Sequence, residues 1–273
     1  MNKLLKRLMI IKDVLWAFGI LICLVAILVG FLFSAVTRYN GDCRDRTIDF
    51  SNVKVVDEGT AVTVPTGTVV VGNVRTAEAT KDAGDSYINS LTFLLDSSLI
   101  GLREMNLVSS DIWGSESGKL PITSSGTWNI VYADGSKIPP SSAAMITKPS
   151  ILILAVGGDS LAGVSRTDFV SAYTAVINGI KQLSPATTIV CCSITPVSAS
   201  YAGEDGLTND MINEANSWIT QICIENDLTY CSIADAVSSG GALAAEYSAI
   251  DGRSINISGL QQIISYLRTH AVS

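Results

Sequence analysis

The chain is 273 residues long and contains one histidine, His270. Only one side chain therefore has the imidazole that usually serves as a base near neutral pH. Charge is also sparse. Charged residues make up 16% against 48% hydrophobic, which excludes a long disordered chain and argues against a nucleic-acid-binding protein. The six cysteines (Cys23, Cys43, Cys191, Cys192, Cys223, Cys231) follow neither a zinc-ligand spacing nor the dense framework of a small secreted domain. They read as free thiols, most of them buried. With so few imidazoles and no ligand spacing, no metal or cofactor is expected.

The mean hydropathy of +0.38 is high, and much of it is concentrated near the start. Val14 to Val36 is 23 residues without a charge, enough for about 34 Å of helix. That exceeds the apolar core of a cleavable signal peptide, so a retained transmembrane helix is the better reading. A cut near Ser34-Ala35-Val36 is the minority alternative. Lys3, Lys6, Arg7 and Lys12 precede the run and Arg38 follows it, which predicts a cytoplasmic N-terminus and an extracytoplasmic body. With Asp13 set against those five cations, residues 1–40 are net +4; the whole chain is −7, so the remainder is −11. So acidic a body does not suit a polyanion partner.

Three segments follow from the composition. Residues 1–40 form a basic cytoplasmic tip and membrane anchor. Residues 41–80, rich in Val and Thr and broken at Pro65-Thr66-Gly67, read as an extracytoplasmic stalk with short strands. Residues 81–273 form the folded domain. Its unbroken apolar runs at 91–95, 151–156, 188–192 and 228–233 suit strands covered on both faces. Amphipathic helices lie between them. One carries Phe169, Tyr173, Val176, Ile177 and Ile180, with Thr167 able to cap it and Ser184-Pro185 ending it. A second carries Ile212, Ala215, Ile219, Ile222 and Cys223, and the last carries Leu260, Ile263, Ile264 and Leu267. The expected fold is α/β, a three-layer sandwich around a central parallel sheet, preceded by one transmembrane helix.

In such folds chemistry sits in loops at the carboxyl ends of strands. Those loops carry Asp96-Ser97, then Gly157-Gly158-Asp159-Ser160, then Thr195-Pro196-Val197, and finally Asp251-Gly252-Arg253-Ser254-Ile255-Asn256 before the last helix. Together with Gly259 and the tail Tyr266–Val272, this order resembles the SGNH/GDSL hydrolase superfamily, in particular its membrane-anchored bacterial branch, over residues 85–273. The resemblance implies a flavodoxin-like sheet with Ser97 at the nucleophile position and Asp251 in the closing block. Gly114 or Gly118 stands for the oxyanion-hole glycine. Ser160, in a literal Gly-Asp-Ser-Leu, is the rival motif serine; Gly84-Asp85-Ser86 is a weaker one.

The chain departs from the family pattern at functional positions. Leu95 stands where the first block has glycine, Asp159 where it has the oxyanion-hole asparagine, and Ser254 where it has the catalytic histidine. A serine cannot replace an imidazole as base, and removing one member of such a triad costs about 10⁴ to 10⁶ in turnover. A carboxylate at the oxyanion position accepts hydrogen bonds and repels negative charge; losing one such donor costs about 10² to 10³. His270, at the far end of the last helix, is too distant to substitute. The expectation is therefore a membrane-anchored domain that has lost ester hydrolysis, with a vestigial Ser97–Asp251–Ser254 set, and binds a cell-wall glycan or an acylated ligand at the cell surface. The alternative is a divergent serine esterase using Ser97 on an acylated cell-envelope substrate.

Overall fold

The computed structural model describes residues 74–203 and 205–272. The run expected to cross a membrane and nearly all of the expected stalk lie outside the described residues. Among the described residues, no helix is long and apolar enough to span a bilayer.

In chain order the elements are β1 (Arg75–Thr76), α1 (Gly84–Ser90), β2 (Thr92–Leu95), α2 (Gly101–Glu104), β3 (Asp111–Trp113), the β4–β5 hairpin (Ile130–Val131 and Lys137–Ile138) and α3 (Pro140–Thr147). Then come β6 (Ile151–Ala155), α4 (Arg166–Leu183), β7 (Thr188–Cys192), α5 (Asn209–Asn226), β8 (Thr229–Cys231), the β9–β10 hairpin (Ser238–Ser239 and Ala242–Leu243) and α6 (Ile257–Thr269). Six strands form one sheet in the order β1-β8-β7-β6-β2-β3, and every pair in it is parallel. Residues 75 and 76, which composition groups with the stalk, pair with Thr229 and Tyr230 at the sheet edge.

The alternation of side chains along each strand sorts the core into two halves. Leu94, Leu152, Leu154, Ile189 and Cys191 pack beneath α4 and α5, through Phe169, Tyr173, Ile177, Ile212 and Ile219 among others. Phe93, Leu95, Ile153, Ala155, Val190 and Cys192 face the opposite way, against Ile88 of α1, Leu102 of α2 and Leu260, Ile263 and Leu267 of α6. Each strand residue thus has an apolar layer to bury against, which is why these runs read as continuously hydrophobic. The described cysteines, Cys191, Cys192, Cys223 and Cys231, are free and buried in these layers.

Helix starts follow the capping chemistry. Ser165, not Thr167, caps α4: it has extended dihedrals and accepts from the Asp168 N–H at 3.1 Å, while Thr167 already lies in the first turn. Thr208 caps α5 and Asn256 caps α6 in the same way. Gly259, one turn into α6, has a packing reason. A Cβ there would lie 2.5 Å from Ile255 Cγ2 and 3.0 Å from the Tyr247 carbonyl oxygen. Gly259→Ala is therefore expected to destabilise the domain by about 1–3 kcal/mol through overpacking. In urea the midpoint should fall with the slope unchanged; an unaltered midpoint would mean that the α6 N-terminus is not fixed against the 247–255 loop.

Candidate functional site

The sheet order reverses between β2 and β6: β3 lies beyond β2 on one side, β7 beyond β6 on the other. A crevice opens at the carboxyl ends of strands at such a switch point. Leu95 and Ala155 are paired at that end, so Asp96-Ser97 and Gly157-Gly158-Asp159 emerge side by side. The Asp251–Asn256 loop is brought to the same place by two backbone bonds, Ser198 N–H to the Gly252 carbonyl at 2.7 Å and Ile255 N–H to the Ser98 carbonyl at 3.4 Å. The β7 loop that carries Ser198 is clamped by α5: Asn216 and Asn209 each exchange a pair of hydrogen bonds with the backbone, of Ile194 and Val197 respectively.

Asp159 lies at the centre, its side chain 2% exposed. Its Oδ2 accepts from the backbone N–H groups of Ser97 at 3.2 Å and Leu120 at 2.7 Å. Its Oδ1 accepts from the Ser97 hydroxyl and, at 3.2 Å, from Arg253 Nη2. Arg253 also donates to the Gly158 carbonyl at 3.0 Å and to Asp205. A carboxylate offers about four lone-pair positions, and these four donors match them.

Asp96 is the second buried carboxyl. Its Oδ1 accepts from the Ser98 hydroxyl at 2.8 Å and the Ser98 N–H at 3.2 Å, and its Oδ2 from the Gly158 N–H at 2.9 Å. Burial, and then the negative charge of Asp159, push its pKa up to about 6. Asp251 shifts the other way. Against the penalty of partial burial, the Ser254 hydroxyl at 2.6 Å and the N–H groups of Arg253 and Ser254 hold its carboxyl below the usual range.

Ser97 and Ser254 both line a cavity of about 460 Å³, together with Ile100, Glu104, Met105 and Ile257 among others. Ser97, Asp159, Asp251 and Ser254 are thus gathered at one end of the sheet, Ser254 bound to Asp251 and Ser97 to Asp159. The Gly114 carbonyl accepts from Arg103 at 3.2 Å and from the Val131 N–H at 2.9 Å. Gly118 has φ +75° and donates to the Ser115 carbonyl. The N–H that this segment sends to Asp159 is Leu120's. Ser160 is exposed, at φ +57°, in the turn after β6, and Ser86 sits exposed within α1. His270 follows the last residue of α6 and stacks on Tyr266, ring centroids 3.8 Å apart. The 13 residues of α6 put it about 20 Å of helix rise from the Asp251 loop.

Leu120, Arg253 and Asp205 are the participants that sequence reading missed. Arg253 had a signal, since it lies inside the Asp251–Asn256 motif. A backbone N–H such as Leu120's leaves none.

A parallel α/β sheet with an Asp-Ser pair at a strand end beside the switch point, closed by an Asp-bearing loop before the last helix, defines a class of serine hydrolase architecture. Residues 126–270 match the model of the GDSL-like lipase/acylhydrolase family; this is more than half of the chain, and the chain belongs to that family. The matched stretch contains Asp159 and the Asp251 loop and begins after Ser97. No curated protein matches. Similar solved structures include a proposed GDSL-like lipase from Parabacteroides merdae, 13% identical, covering 71% of this chain and 98% of that one at a TM-score of 0.49. A proposed lipolytic protein of the G-D-S-L family from Desulfitobacterium hafniense is 13% identical, over 67% and 100%, at 0.45. An active-site mutant of a family two carbohydrate esterase from Clostridium thermocellum is 13% identical, over 65% and 61%, at 0.42.

The raised pKa of Asp96 has a consequence for stability. Its folded value of about 6 exceeds the ordinary 3.8, so its contribution is full below about pH 4 and is lost as pH rises through about 6. Urea midpoints measured from about pH 4 to 8 should fall for the wild type relative to Asp96→Asn across that window and run parallel above it. A constant gap throughout would mean that Asp96 titrates as an ordinary exposed carboxyl.

Proposed function

We propose that this chain is a membrane-anchored, extracytoplasmic SGNH/GDSL-type domain that has lost ester hydrolysis and serves as a cell-surface binding or accessory protein. One observation carries the reading: the Ser97 hydroxyl donates to the Asp159 carboxylate. At the same time, the residue beside Asp251 in the histidine position is a serine that itself donates to Asp251. Serine attack on an ester needs a base with a pKa near the working pH and donors aimed at the developing oxyanion. At this site no imidazole faces Ser97, and a carboxylate lies against the Ser97 N–H. The ligand is a cell-wall glycan or an acylated molecule entering the cavity beside Ser97 and Ser254. The uncharged run from Val14 to Val36 and the basic residues before it support the anchoring and its direction.

A second reading is favoured by the same hydrogen bond. A carboxylate already holding the serine proton is a base within reach, and a divergent esterase can be built on a Ser97–Asp159 pair acting on an acylated envelope substrate. Asp159 is a poor candidate for that task, because the same oxygens are already occupied by two backbone N–H groups and a guanidinium.

Two experiments test the proposal. Hydrolysis of p-nitrophenyl acetate and labelling by a fluorophosphonate probe should be the same for wild type and Ser97→Ala. The double variant Ser254→His/Asp159→Asn should gain at least about 10²-fold in Ser97-dependent turnover. Wild-type labelling that vanishes in Ser97→Ala would establish the esterase instead. For localisation, the full chain should sediment with membranes and shed its body to protease added outside intact cells, whereas a chain lacking residues 1–40 should stay in the soluble fraction.

A further inference from the structure

We infer that the Ser97 and Leu120 N–H groups, the Ser97 hydroxyl and the Arg253 guanidinium form a receptor for one carboxylate group, which Asp159 fills from within the chain. The inference deepens the reading above, on which it rests for Ser97 being the serine of the site.

The donors come from three separate segments and converge on one carboxylate. Ser97 follows β2, Leu120 lies in the loop before the β4–β5 hairpin, and Arg253 belongs to the loop that leads into α6. Backbone N–H groups in pairs, backed by a cation, are the groups that bind an oxyanion. The two N–H groups meet at one oxygen, Asp159 Oδ2, at 3.2 and 2.7 Å, and the hydroxyl and guanidinium meet at the other. Nothing in this donor set depends on the carboxylate being attached at residue 159. What makes Asp159 the occupant is its tether, the turn after β6. There Gly157 takes φ +121° and Gly158 N–H is held by Asp96 at 2.9 Å, which aims residue 159 inward.

The pocket thus selects a planar, singly charged carboxylate of one or two carbons once the tethered one is removed. With Asp159 in place, a ligand carboxylate or an acyl oxygen reaches these donors only by displacing it.

The test is Asp159→Ala, which leaves the Ser97 and Leu120 N–H groups without their acceptor and takes one of three acceptors from Arg253. Sodium acetate or formate at about 100 mM should raise the melting temperature of this variant by about 3–6 °C, saturably, as expected at roughly ten times Kd. Sodium chloride at equal ionic strength and neutral acetamide should not. The wild type, already occupied, should move by less than about 1 °C in acetate. Adding Arg253→Gln to the alanine variant should weaken acetate binding about tenfold, which cuts the shift at about 100 mM to about a third. An equal response to chloride or acetamide, or an equal response in the wild type, would overturn the inference. If Asp159→Ala does not stay folded, its refolding yield from urea is read instead: recovery in acetate beyond that in chloride supports the receptor, equal recovery sinks it. Because the readout is binding rather than turnover, the receptor can fail while the hydrolysis-deficient reading stands, and the reverse.

Discussion

A carboxylate taken out of water must be given donors, and the demand made by Asp159 organises this end of the molecule. An unpaired buried charge costs several kcal/mol, so the loops that carry Ser97, Leu120 and Arg253 have to arrive together. Ser97 comes from a strand paired with the one that precedes Asp159. Leu120 comes from a loop with no strand pairing of its own to the β6 turn. Arg253 comes from the far end of the sequence and is kept in reach by the Ser198–Gly252 bond. The same carboxylate then acts on its neighbour: burial first, and the charge of Asp159 second, push the Asp96 carboxyl up to a pKa of about 6.

How much of this was legible from residue order depended on where the information lies. The four strands that build the middle of the sheet are unbroken apolar runs because helices cover both of their faces, and such runs are visible. β1 and β3 are two and three residues long, and both residues of β1 are exposed; too few side chains are buried to leave a pattern. The α4 cap is a smaller case. Ser165 and Thr167 are both capable residues, and only the backbone dihedral decides between them.

The site divides along a similar line. That Ser97, Asp159, Asp251 and Ser254 lie at one end of the sheet was readable because they sit in loops at strand ends or before the last helix, and side chains are written in the sequence. Leu120 contributes only its N–H, which every residue but proline possesses, so no letter marks it. Arg253 is an intermediate case: a surface arginine in a polar loop looks solvated until Asp159 and Asp205 are known to lie on either side of it.

The departures at 159 and 254 are therefore not two independent losses on the proposed reading. A base at 254 acts on the Ser97 hydroxyl, but that hydroxyl and the Ser97 N–H are both committed to Asp159. An imidazole introduced alone would have to compete with a carboxylate for the serine proton, and the tetrahedral oxyanion would find its donors occupied by a like charge. Removing the carboxylate alone would free the donors and leave the serine without a base. Groups that act as a unit give strongly non-additive effects, and on that reading the physical origin of the coupling is one residue: Asp159 binds both the hydroxyl and the N–H of Ser97, the first the group a base would act on, the second a donor that a tetrahedral oxyanion would need.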